Sequence, residues 1–91
     1  MSEVALPRDV LERVRATFVN AEVTAAVAAL EEYSGPERGR VMRCIVHLSN
    51  GSLEVLQHHV RNALNDYRDV IYWAEYDRND RRIHDFSAGF T

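Results

Sequence analysis

Residues 36–64 read PERGRVMRCIVHLSNGSLEVLQHHVRNAL, and their spacing sets the fold class. Val41, Cys44, Ile45 and Leu48 fall on one face of a helix. Arg40, Arg43 and His47 take the adjoining polar face. Asn50-Gly51 is a strong stop signal. Ser52 is then a good N-cap for a second helix, with Glu54 in its first turn. Leu53, Leu56, Val60, Ala63 and Leu64 give that helix its buried stripe. Pro36 is expected to open the first helix of the pair, and Glu37 suits the positive end of its dipole. Helix, tight turn, helix is the resulting unit.

Toward the C-terminus the stripe runs on through Tyr67, Val70, Ile71 and Ala74. Asp66-Tyr67-Arg68-Asp69 nevertheless reads as a fresh helix start, with Asp66 able to cap the new N–H groups. A kink or short break is expected there. Beyond it, Tyr72 lies with Arg68 and Glu75, while Trp73 and Tyr76 lie with Asp69. One helix on a small core cannot bury all these aromatics on a single stripe. From Asp77 the pattern dissolves into mixed charges, yet Ile83, Phe86 and Phe90 follow along the tail. The expectation is an arm that docks on the domain or on a second subunit, burying Phe86 and Phe90 against Trp73 and Tyr76.

Toward the N-terminus, Pro7 suits a first helical turn. Leu11, Val14, Phe18, Ala21, Ala25 and Ala28 recur at steps of three and four. Residues 7–33 are therefore one long helix or two jointed near Asn20, which is placed to cap the second. Ser34-Gly35 ends the run, with glycine in the left-handed cap. The whole reads as an all-α fold, a compact bundle of four or five short helices with a C-terminal arm. The helical domain is expected at 1–76 and the arm at 77–91.

Composition narrows the function classes. The chain has 91 residues, 46% hydrophobic and 27% charged, which is globular and sized for one domain. A net charge of −3 disfavours a strongly basic nucleic-acid binder. No apolar run approaches a membrane span and no signal peptide is evident, so a cytoplasmic protein without membrane partners is expected. One cysteine cannot form an intramolecular disulfide, which fits a reducing compartment. All 11 basic residues are arginine, a bias that accompanies the many alanines.

Residues 37–76 carry a resemblance. Asn50-Gly51-Ser52-Leu53-Glu54, Asp66-Tyr67-Arg68-Asp69-Val70 and Trp73-Ala74-Glu75-Tyr76 are its motifs. The stretch resembles a group of short, functionally uncharacterised bacterial helical proteins. They share a Gly-(Asp/Ser)-Leu turn and an Asp-(Tyr/Trp)-Arg-Asp-(Val/Leu) motif. Under half the chain is covered. The resemblance implies a helical fold and a cytoplasmic bacterial setting, and no activity.

The residues bear on four chemistries: metal binding, catalysis, DNA reading and protein association. His47, His58, His59 and His84 lack the spacing of a shared metal site, and Cys44 falls on an apolar stripe. Cys44 and His47 are an i, i+3 pair, but no oxyanion loop or glycine-rich cradle accompanies them. Asp66 and Asp69 are explained by capping. No catalytic, cofactor or metal residue is therefore expected. The helix pair at Arg40–Leu64 has a helix-turn-helix outline, with Gln57, His58, Arg61 and Asn62 as a DNA-reading face. Glu54 at the reading end and the acidic balance count against it. Protein association remains, through Arg68, Tyr72, Trp73, Tyr76, Phe86 and Phe90, with another protein or a second copy as partner, a homo-oligomer included.

Overall fold

Four α-helices form among residues 6–90, the part of the chain that the computed structural model describes. They are α1 (Arg8–Thr17), α2 (Asn20–Glu31), α3 (Arg38–Ser49) and α4 (Leu53–Glu75). Residues 1–5 and 91, the outer ends of the expected domain and arm, lie outside the described residues. Among those described, extended pairing is limited to a single bridge between Tyr76 and Arg82. The fold is thus an all-α bundle.

α3 is the centre of the core. Val41, Met42, Cys44, Ile45, Val46 and Ser49 are all buried, so the helix is covered on more than one face. Ser49 satisfies its hydroxyl by donating to the Val46 carbonyl at 2.6 Å. Leu56, Val60 and Ala63 of α4 close the core from the other side of the Asn50-Gly51 turn. That turn needs left-handed backbone at both residues, φ 50° at Asn50 and 83° at Gly51. A Cβ at Gly51 would also stand 3.3 Å from the Thr17 carbonyl oxygen. Ser52 caps α4 by accepting the Val55 N–H at 3.3 Å. Because Ile45 is fully enclosed, Ile45→Ala is expected to cost about 2–4 kcal/mol through lost burial and the cavity left behind. A shift in the denaturant midpoint checks this.

Several local expectations are corrected. The N-terminal region is two helices, but Asn20 is the first residue of α2 and Val19 holds the cap position without a side-chain bond. Phe18 and Val19 are both extended, which resets the helical phase. α2 therefore buries Ala26, Ala29 and Leu30, and Ala21, Ala25 and Ala28 face solvent. Pro7 occupies the cap position of α1, one residue ahead of the helix. Gly35 is not left-handed; α2 closes with short-range bonds from Glu32 and Tyr33 to Ala29 and Leu30. What confines Gly35 is the Tyr33 ring, 2.9 Å from where a Cβ would sit. Pro36 lies in the connection, and α3 begins two residues later after a left-handed Glu37. Tyr33 braces that connection by donating its hydroxyl to the Pro36 carbonyl at 2.6 Å.

Candidate interaction surface

α4 consists of two helical halves. Asp66 takes φ −156° and ψ 101°, far from helical values. Its carboxylate accepts the Arg68 N–H at 3.1 Å, the position an N-cap serves in a new helix. The same carboxylate holds the Arg68 guanidinium at 3.0 and 3.2 Å. That hydrogen bond is the main reason the Asp66 carboxyl is held below the usual carboxylate range. Capping and ion pairing thus coexist at one residue.

The break is sharp. His59 and Trp73 have ring centroids 6.0 Å apart. A straight helix would separate the two positions by about 21 Å along its axis. Residues 53–65 and 67–75 therefore fold back toward one another. Leu64, expected in the core, is instead 55% exposed. One residue past buried Ala63, it has turned toward a cleft of about 630 Å³ between the bend and the connection at 33–36.

Folding back joins two surfaces that are separate in sequence. Trp73 rests against His59, which touches His58 and lies 3.4 Å from the Asn62 amide. Burial, then the neighbouring His58, keeps the His59 pKa low. Tyr72 stacks on Tyr76 at 5.4 Å and donates its hydroxyl to Asp80. Asp80 belongs to a tight turn in which Asp77 accepts the N–H groups of Asn79 and Arg81 at 2.8 and 3.0 Å. Even so, Trp73 is 47% and Tyr72 45% exposed, with Arg68 exposed beside them and Tyr76 half-buried.

Phe86 and Phe90 lie elsewhere, which corrects the expected mutual burial. Phe86 is buried within its own chain, against the rings of His47, His84 and Phe90 at 5.1, 5.2 and 5.9 Å. It is a core residue and presents no surface. Phe90 is half-buried, with the Arg13 guanidinium 4.3 Å above its ring.

The path of the tail is set by Glu75, which the sequence reading overlooked. Glu75 is completely buried. It accepts from Arg40 Nη2 and Nε at 2.6 and 2.9 Å, from Arg82 Nη2 at 3.0 Å and from the Phe86 N–H at 3.1 Å. Its carbonyl takes the N–H groups of Ile83 and His84 at 2.7 and 3.2 Å. Burial raises its pKa, but the Arg40 and Phe86 hydrogen bonds and the arginine charges outweigh that and hold it below 4.5. Arg43 adds a second tie. It grips Asp9 of α1 at 2.8 Å and the Phe86 carbonyl at 3.0 Å. The signal for Glu75 was its place four residues after Ile71 and one after Ala74, on the buried stripe itself. Residues 77–90 thus form a strap across the chain's own α1 and α3.

In the alternative DNA-reading face, Gln57, His58 and Arg61 are exposed and Asn62 is half-buried. Gln57 and Arg61 share a depression with Glu32, the residue that follows α2, which places a carboxylate beside the reading surface. Cys44 is enclosed, and burial, reinforced by the Glu75 charge, pushes its thiol up to about 12. At neutral pH that thiol carries no nucleophilic thiolate. Among the described residues, no group of three or more His, Cys, Asp or Glu side chains is placed to hold a metal ion. No helix among them is long and apolar enough to cross a membrane. No family model matches the chain, and no curated protein or solved structure matches it either.

Proposed function

We propose that this protein is a small interaction module, self-association included, that engages a protein partner through Tyr72 and Trp73 of α4, flanked by Arg68. One observation carries the reading. The tail's two phenylalanines pack toward α1 and α3, and Trp73 and Tyr72 stay nearly half exposed, with Tyr72 held at its hydroxyl by Asp80. Tryptophan, tyrosine and arginine are the side chains that dominate binding energy at interfaces. The single free thiol and the resemblance of residues 37–76 support a cytoplasmic bacterial setting.

Trp73 is the only tryptophan, so its fluorescence reports on this face alone. Association is expected to blue-shift its emission as the sedimentation coefficient rises with concentration. Trp73→Ala is expected to leave the fold intact and to cost about 1–3 kcal/mol of stability, from the part of the ring that rests on His59. It should weaken association by roughly thirtyfold or more, the effect of losing an interface hot spot. An association that survives Trp73→Ala overturns the reading. DNA binding is the competing outcome: a salt-sensitive mobility shift lost in Arg61→Ala would move the functional face to Gln57, His58, Arg61 and Asn62.

A further inference from the structure

We infer that the strap is a pH-sensitive latch, closed at neutral pH and released in mild acid by the histidine pair His47 of α3 and His84 of the strap. The two rings meet edge to face with centroids 4.7 Å apart, and both lie against the buried ring of Phe86. Neutral imidazoles suit such a site, since each offers an apolar face to the other and to the phenyl ring. An imidazolium at His47 must leave water to lie against Phe86, and it meets the second imidazole 4.7 Å away.

Neighbouring cations add to the cost of a charge on His47. Arg13 of α1 faces the site with Phe90, and Arg43 of α3 stands one turn before His47. Three carboxylates around the strap each have an arginine partner. Asp9 of α1 is held by Arg43, Glu75 of α4 by Arg40 and Arg82, and Asp85 of the strap by Arg82 and the Ser87 hydroxyl. Consistent with this, burial, then His84, then Arg13 keep the His47 pKa below its ordinary 6.5. The sign follows by linkage. A histidine whose pKa is depressed in the closed form binds protons more tightly in the open form. Acidification through and below 6.5 therefore favours opening, by about tenfold for each unit of depression.

The strap's own hydrogen bonds give the readout. The N–H groups of Ile83 and His84 bind the Glu75 carbonyl, and that of Phe86 binds its carboxylate. Hydrogen exchange by NMR, normalised to intrinsic rates, should show their protection falling severalfold, to a ceiling of about tenfold, between about pH 7.5 and about pH 5.5, where histidine titrates. The amides of Ile45 and Val60 should keep theirs. In His84→Asn and in His47→Gln the fall should shrink or vanish. Protection that stays constant overturns the latch, as does an equal loss at Ile45, which would mean global unfolding. The unmodified protein supplies a test independent of the variants: a His47 imidazole that titrates at or above 6.5 overturns the proposal as well.

Discussion

Glu75→Ala is expected to remove about 3–5 kcal/mol of stability, the cost of leaving buried charges without their partner. A small domain has only about 5–15 kcal/mol to lose, so this variant stands near the edge of folding. The reason lies in what Glu75 holds. Arg40 is four-fifths buried on its side chain and directs two nitrogens at the carboxylate. Arg82 and the Phe86 N–H converge on the same two oxygens. Removing the carboxylate leaves the Phe86 N–H unpaired, leaves Arg40 with Glu37 alone and Arg82 with Asp85 alone, and releases the strap at its root. Glu75→Gln keeps an acceptor for the Phe86 N–H but no charge for the arginines, so its loss should be smaller. Replacing Arg40 and Glu75 together by methionine should cost less than the two single changes combined, because no unpaired charge remains. Circular dichroism during chemical denaturation measures each value. A Glu75→Ala loss under about 1 kcal/mol would mean that water, not protein, satisfies the arginines.

The same carboxylate gives an acid limit. Its folded pKa lies below 4.5, so its stabilisation is complete above that value and is lost as pH falls through the lower folded one. The parent should therefore lose stability steeply in strong acid, and Glu75→Gln less steeply. This window lies below the histidine range, so the two titrations separate on one pH series.

How far the sequence reaches depends on whether a feature is local. The pair around Asn50-Gly51 is legible because turn, cap and apolar spacing all agree within one short stretch. The break at Asp66 is legible because a capping side chain stands where the helix restarts. The phase of α2 is not, since two extended residues at Phe18 and Val19 rotate everything after them. Leu64 follows the stripe on paper, yet the fold-back carries it to a cleft. That Tyr72 and Trp73 fall off the buried stripe follows from angular position on a helix, but that the arm leaves Trp73 uncovered does not, since the arm's path is set by distant polar groups. Phe86 depended on a partner set 35 residues from Glu75, at Arg40, and no pattern inside the tail reveals that bond. Long-range polar pairing chose the path, and apolar spacing alone could not.

Phe86→Ala is expected to cost about 3–5 kcal/mol, in the range of other enclosed phenylalanines. The ring is almost wholly removed from solvent and packs on three other rings. Its own backbone is fixed at both ends, the N–H on Glu75 and the carbonyl on Arg43, so the segment cannot slide to fill the cavity. Phe90→Ala should cost less, because Phe90 is half-buried and its Arg13 contact is worth about 0.5–1 kcal/mol. Trp73 separates this account from one in which the tail shields the aromatic face. Trp73 lies against His59, and its ring meets neither Phe86 nor Phe90. In folded Phe86→Ala, and in a chain cut before His84, the denaturation midpoint should fall while Trp73 emission keeps its wavelength. A red shift in the folded state of either variant would place the strap over Trp73, and the aromatic face would then be part of the chain's own core.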